Sequence, residues 1–371
     1  EMVIRDWSSD VCSSDLGNAD STSSFVGVSG ARCGRLFVEG GSLISRYLRL
    51  STNNKASSGD RPDELRVNGG LLSVTDSGTT AFMMGTRHNN DTGEASRSGL
   101  LEVTGGRFEV PNGLALISTD GGSTQEQTLD IVLSGGTWAA KQIVVGSKAQ
   151  AAKRFWFNGG TLEATNAVSD VELIGGSVVN ASFMVRARGL RVNSGSGAVR
   201  LSAPLAEDPA SPGGNLVKLG SGTLTLGGGM AFAGPLVVSN GTLKIAASLP
   251  ETNLVVAGGA AFSMADGALT AFRPTSLKLG TSTQAARLDL EVAAEGTACD
   301  QVVLPAGTWM QQVAVGLYVQ GTATRRAGAG DFVPMGNAIL RIVAMSEGHF
   351  SFSRVGVKRL QTALSPTRNR G

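Results

Sequence analysis

The densest local set of ionisable groups is Asp60, Asp63 and Glu64, with Arg61 and Arg66 close by. Two carboxylates placed across a glycosidic bond can hydrolyse it, one as acid and one as base or nucleophile. Here the set sits beside Gly59 and Pro62, residue types that mark a solvated loop, and the loop reading is preferred. Only two histidines are present. His88 lies in the polar run Thr86–Asp91 with no evident partner to orient it for acid–base work. His349 alternates with Phe350 and Phe352 and reads as a packed or surface strand residue. Cys12, Cys33 and Cys299 are isolated, with neither a CxxC nor metal-ligand spacing. Cys33 and Cys299 read as small inert residues. No glycine-rich stretch has the P-loop or dinucleotide pattern, and the calcium-binding nonapeptide is missing. Trp138 and Trp156 offer faces on which a sugar can stack, but both lie in repeat strands, where core or edge packing is the expected role. No catalytic, cofactor-binding or metal-binding residue is assigned, and no cofactor is expected.

The elements that carry these residues follow from the composition. Of 371 residues 51 are glycine, while charged residues make up 17% and aromatics 5%. An interior glycine costs a helix about 1 kcal/mol relative to alanine, and the strict third-residue period of collagen is absent. Short apolar runs broken by Gly, Asn, Ser and Thr are the pattern of an all-β chain with many turns. A net charge of +2, without a basic stripe interleaved with aromatics, gives no reason to expect a nucleic-acid partner. No apolar run is long enough for a membrane-spanning helix.

One phrase recurs: an apolar residue, any residue, Gly-Gly, then alternating apolar positions. It runs Phe37–Ile44, Val67–Val74, Val103–Val110, Leu133–Ala140, Phe157–Ala164 and Leu173–Asn180, with a degenerate copy at Val238–Ile245. The glycine pairs are Gly40 and Gly41, Gly69 and Gly70, Gly105 and Gly106, Gly135 and Gly136, Gly159 and Gly160, and Gly175 and Gly176. Their mean spacing of about 27 residues falls where stacked repeats live. Paired glycines permit a sharp turn with φ > 0, and the alternation after them puts one face inward. Phe157, Leu162 and Ala164 should point one way, and Thr161 and Glu163 the other. Stacked turns would pair each strand with its neighbour about 4.8 Å away. The expected fold is all-β, a right-handed parallel β-helix (β-solenoid) with a β-rich C-terminal cap, because an open end exposes strand edges. A string of antiparallel β-sandwiches is the alternative.

Two segments resemble known sequences. Asp6–Leu16 reads DWSSDVCSSDL, similar residue for residue to one translated frame of a sequencing-library adapter. Residues 1–16 are therefore expected to be a disordered artefact, the chain to be a fragment, and an export signal to be invisible because the true N-terminus is missing. Downstream of the Pro- and Gly-rich break Ala203–Gly214, the stretches Leu216–Leu226 and Gly234–Ile245 resemble the autotransporter-associated β-strand repeat. Lys218, Gly220, Gly222, Leu224, Leu226, Gly234, Gly241, Thr242 and Leu243 match that pattern; Met230–Ala233 departs from it. The resulting organisation is 1–16 artefact, 17–203 Gly-Gly β-solenoid, 204–290 repeat region and 291–371 C-terminal β region with a truncated or frayed end.

The resemblance implies a passenger-like solenoid of a large secreted or surface-displayed bacterial protein, located outside the cell or on its outer surface. The function expected is structural or adhesive and non-catalytic. A surface glycan or a host or cell-surface ligand is the possible partner, and the chain itself is expected to be monomeric. The alternatives are a carbohydrate-active β-helix lyase or hydrolase, and a carbohydrate-binding module. The paired-Asp and Gly-His-Gly signatures of polygalacturonase-like enzymes are absent. A groove holding two facing carboxylates would decide for the enzyme.

Overall fold

The computed structural model describes residues 2–4, 8–10, 24–26, 35–51, 62–79, 81–85, 98–118, 126–165, 170–281, 283–292, 300–302, 313–319, 331–332, 341–344 and 350–353. Strands and turns account for all of them, without a helix. The chain divides into two compact units, Glu1–Phe232 and Ala233–Gly371.

Among the described residues of the first unit the strands pair in parallel and fall into three ladders. The first ladder runs Met2–Ile4, Arg35–Val38, Asp63–Val67, Gly99–Val103, Gln127–Leu133, Ala151–Phe157, Ala181–Val185, Leu205–Glu207 and Met230–Ala231. The second takes Ser8–Asp10, Ser42–Ser45, Leu71–Val74, Thr161–Ala164, Leu190–Asn193 and Leu216–Leu219. The third takes Ser24–Val26, Leu48–Leu50, Phe82–Met84, Val171–Gly176, Ala198–Leu201 and Thr223–Leu226. Two long strands, Arg107–Ile117 and Thr137–Val145, serve both the second and third ladders. They bend between them at Val110–Leu114, where the register shifts. Pro111 and Gly113 sit in that irregularity, the position where a strand tolerates residues that cannot pair or pack. Each turn of chain therefore supplies one strand to each ladder. This is a parallel β-helix, and the antiparallel sandwich alternative is excluded.

Register explains the core. Alternation buries every second residue, and parallel stacking puts like positions in columns. Leu36, Leu65, Leu101, Ile131, Phe155, Phe183, Leu205 and Met230 stand in one column of the first ladder, all buried. Leu43, Leu72, Phe108, Trp138, Leu162 and Val192 form the matching column of the second, also buried. The aromatics interlock: Phe108 stacks on Trp138 with centroids 5.8 Å apart and meets Phe82 edge-on at 5.2 Å, while Phe155 stacks on Phe183 at 4.8 Å. Burying one such side chain is worth about 1.5–3 kcal/mol. Phe157, Leu162 and Ala164 face inward and Thr161 and Glu163 outward, as the alternation requires.

In the second unit two parallel ladders are present. One is Leu236–Val238, Asn253–Val256 and Ser276–Leu279; the other is Thr242–Ile245, Ala261–Ser263, Ala286–Val292 and Val313–Val319. Ala271–Phe272 pairs in parallel with Gln301–Val302. Beyond them pairing turns antiparallel: Val313–Val319 takes Asp331–Phe332, and Arg341–Ala344 forms a hairpin with Phe350–Ser353.

Candidate functional site

The repeated glycines converge on one corner. Gly40-Gly41, Gly69-Gly70, Gly105-Gly106, Gly135-Gly136 and Gly159-Gly160 each join the first ladder to the second. The hydrogen bonds repeat from turn to turn. Gly69 N donates to Val38 O, Gly105 N to Val67 O and Gly135 N to Val103 O, each at 3.2 Å. The residue after each pair donates to the second glycine below, as Leu71 N to Gly41 O at 2.9 Å, Arg107 N to Gly70 O at 2.8 Å and Thr137 N to Gly106 O at 2.9 Å. Gly106 has φ 61°, and a Cβ there would lie 2.5 Å from the backbone carbon of Gly69. Backbone rests on backbone, so nothing can give way. Gly175 and Gly176 lie elsewhere, at the end of a third-ladder strand opposite Val144 and Val145.

The segment 216–226 shows a second kind of corner, between the second and third ladders. Gly220 and Gly222 stack on the turn below: Gly222 N donates to Gly195 O and Thr223 N to Gly197 O, both at 2.9 Å. That lower turn, Leu190–Leu201, pairs strand for strand with Leu216–Leu226, with one residue more at its corner. It is a cryptic copy that sequence reasoning missed, because Val192 stands where the next turn has Lys218. Lys218 is fully buried in the second-ladder column, beside Val192. Its Nζ donates to Leu219 O at 2.7 Å and Gly220 O at 2.8 Å, adding a charged donor to carbonyls of the corner. Burial pushes its ammonium down to about 8. Lys153 repeats the device at the third corner, donating to Gly146 O at 3.0 Å and Lys148 O at 2.8 Å. Burial, with the Lys148 charge beside it, likewise brings Lys153 down to about 8. Gly234 accepts from Thr252 Oγ1 at 2.6 Å, and Gly241 turns at φ 65°.

The outer faces carry ion pairs. Of the sequence-selected acidic set, Asp63 is buried, and Glu64 pairs with Arg35 at 3.5 Å and Arg66 at 3.2 Å. Arg66 also reaches Glu102 at 2.7 Å. Asp60, Arg61, His88, His349, Cys12, Cys33 and Cys299 lie outside the described residues. Glu109 and Glu163 flank Ala139 in one column, two rungs or about 10 Å apart along the ladder. Arg107 bridges them, at 2.6 Å to Glu109 and 2.7 Å to Glu163. The guanidinium thus fills the space between the two carboxylates. In the second unit Asp300 is fully buried and accepts from Thr270 N at 2.8 Å and Glu291 N at 2.7 Å. Burial first, then the Glu291 and Asp266 charges, raise it to about 6, but its oxygens are spent on the backbone.

Trp138 is core. Trp156 instead faces outward and is half-buried. Its Nε1 donates to Asp130 at 3.3 Å, Arg154 binds Asp130 through two bonds of 2.7 and 2.6 Å, and the Arg186 guanidinium lies 4.3 Å from the ring centroid. Arg186 is tied to Asp208 at 2.7 Å, which holds that carboxyl below its ordinary range. The cation already occupies the ring face that a sugar would use. A cavity of about 180 Å³ lies on the same unit, lined by Val145, Ile174, Phe183, Ala203, Glu172 and the exposed Val178. Among the described residues no cluster of His, Cys, Asp or Glu is placed to hold a metal ion, and no helix is long and apolar enough to cross a membrane.

Residues 216–245 match the family of the passenger-associated-transport-repeat. No curated protein and no solved structure matches the chain.

Proposed function

We propose that this chain is a non-catalytic, structural or adhesive stretch of β-solenoid from a larger passenger protein, exported and displayed on the cell surface or released. The observation that carries the reading is how the polar groups are used. In the passenger-type repeat, Lys218, Gly220 and Gly222 are consumed in stacking one turn on the next. On the outer faces the carboxylates Glu64, Glu109, Glu163, Asp130 and Asp208 are matched by arginines. Among the described residues these ladders form polar outer faces, which suit contact with an extended ligand such as a surface glycan. The reading takes the chain as a monomer, because each turn is covered by its neighbours.

The test is to incubate the purified chain with a panel of neutral and acidic polysaccharides and measure both retention and release of new chain ends. Retention without cleavage, or neither, fits the display role. Turnover of any polysaccharide that is lost on substituting Glu109 or Glu163 would replace this reading with a carbohydrate-active enzyme.

A further inference from the structure

We infer that Asn240-Gly241, at the exposed corner of the passenger-type repeat, is a built-in site of spontaneous main-chain cyclisation, with water as its only co-reactant. Four Asn-Gly steps occur in the chain: Asn68-Gly69, Asn112-Gly113, Asn158-Gly159 and Asn240-Gly241. In such a step the glycine nitrogen can attack the asparagine Cγ, because no side chain on the following residue obstructs it. Whether it does depends on where that nitrogen and that amide are held.

The folded chain separates the four. Gly69 N donates to Val38 O at 3.2 Å, while Asn68 Oδ1 is drawn to Thr104 Oγ1 at 2.8 Å. Gly159 N donates to Gly189 O at 2.6 Å, while Asn158 Oδ1 accepts from Arg188 N at 3.3 Å. In both, nucleophile and electrophile are engaged with different partners. Gly113 is buried within the long strand Arg107–Ile117. The Asn240 step differs in what its glycine nitrogen meets. Gly241 N points at its own neighbour's side chain, 2.8 Å from Asn240 Oδ1 on an exposed corner, so Cγ is held next to the attacking atom. Gly241 has φ 65°, and the strand Thr242–Ile245 begins directly after it.

The step balances without an oxidant or a cofactor. Gly241 N gives up its proton and bonds to Asn240 Cγ; the side-chain amino group takes a proton and leaves as ammonia, closing a five-membered imide. Water then opens one of the two imide carbonyls, giving aspartate or isoaspartate at position 240. Either product adds a carboxylate to the corner. Isoaspartate also inserts a methylene into the main chain where Ala261 N rests on Gly241 O at 2.8 Å.

The experiment incubates the folded chain at mildly alkaline pH in ¹⁸O water and maps peptides for aspartate and isoaspartate, with the urea-unfolded chain as reference. Folding should slow Asn68 and Asn158 by about tenfold or more, as protected positions are, and leave Asn240 within about threefold of its unfolded rate. Asn240→Gln, whose longer side chain disfavours the five-membered ring, should remove the product at that site alone. Equal slowing of Asn240 with Asn68 and Asn158 would overturn the inference, as would label at position 240 no greater than at Asn112.

Discussion

Two corners of the first unit solve the same problem differently. At the glycine-pair corner and at the corner between the third and first ladders, the chain turns through a residue with positive φ and hands a backbone N–H to the turn below. At the first, Gly70, Gly106 and Gly136 hold the positive φ while the residues on either side donate, as Gly69 N to Val38 O and Leu71 N to Gly41 O. At the second, Ser51, Gly85 and Ser118 hold φ of 53°, 64° and 51°, and Gly85 N donates to Leu50 O and Ser118 N to Met84 O. The left-handed conformation is common to both, so it cannot be what excludes side chains from one corner and admits serine at the other. What differs is the neighbour. A Cβ on Gly106 meets the backbone of Gly69 and Gly70, whereas a Cβ on Gly85 meets the side-chain ends of Leu129 and Gln127. Glycine is required where backbone lies beneath the turn, and is merely convenient where a side chain does.

The largest expected effect breaks the glycine-pair corner. Gly106→Ala combines left-handed strain with a clash against rigid main chain, each of order 1–3 kcal/mol, and should destabilise the unit by about 3–5 kcal/mol in chemical denaturation. Gly85→Ala carries the same φ penalty but lets Leu129 move, and about 1–2 kcal/mol is expected. Equal losses for the two variants would show that φ, not the stacked neighbour, sets the requirement.

Next comes the lysine that serves the third corner. Lys153→Met leaves Gly146 O and Lys148 O without their donor, a loss of about 1–3 kcal/mol near neutrality, partly offset because a buried charge is removed. The pH dependence separates the two contributions. Lys153 sits at about 8 when folded against its ordinary 10.5, so between those values the unfolded chain binds more protons than the folded one. Stability therefore rises with pH across that window. The substitution should flatten part of that rise, and Lys218→Met should flatten another part, since Lys218 is shifted to the same value. A melting temperature that falls between pH 8 and 10 in the parent and is unaltered in slope by either substitution would refute the assignment.

The same contrast explains what could be read before the structure. Gly-Gly pairs were legible because a rigid neighbour permits no other residue, so the phrase at Gly69, Gly105 and Gly135 repeats in the sequence as it repeats in space. The copy at Gly175 imitates the phrase without occupying the corner, since its glycines end a strand against Val144 and Val145. The third corner left no trace, because serine and glycine serve it interchangeably and only the fold brings Ser51, Gly85 and Ser118 to equivalent places. The turn Leu190–Leu201 was hidden for a related reason. A buried column accepts valine or lysine provided the polar end finds carbonyls, so the residue that marks the repeat at Lys218 could be absent below it. Ion-pair ladders such as Arg107 with Glu109 and Glu163 need the stacking register, which unequal loop lengths conceal.

The smallest expected effect sharpens the comparison from the other side. Ser118 is fully buried, holds φ 51°, and its hydroxyl has no hydrogen-bond partner among the described residues. Ser118→Gly removes both the left-handed strain and the desolvated hydroxyl, each of about 1 kcal/mol. Against this stands the extra freedom a glycine gives the unfolded chain, about 0.5–1 kcal/mol. The sum favours the variant by about 1–1.5 kcal/mol, seen as a higher denaturation midpoint with unchanged slope. Ser51→Gly should gain less or nothing, because the Ser51 hydroxyl donates to Ser98 O at 3.0 Å and that bond would be lost. If both variants lose stability alike, the serines hold their corner by packing rather than in spite of strain, and the tolerance of that corner for side chains becomes a requirement for them.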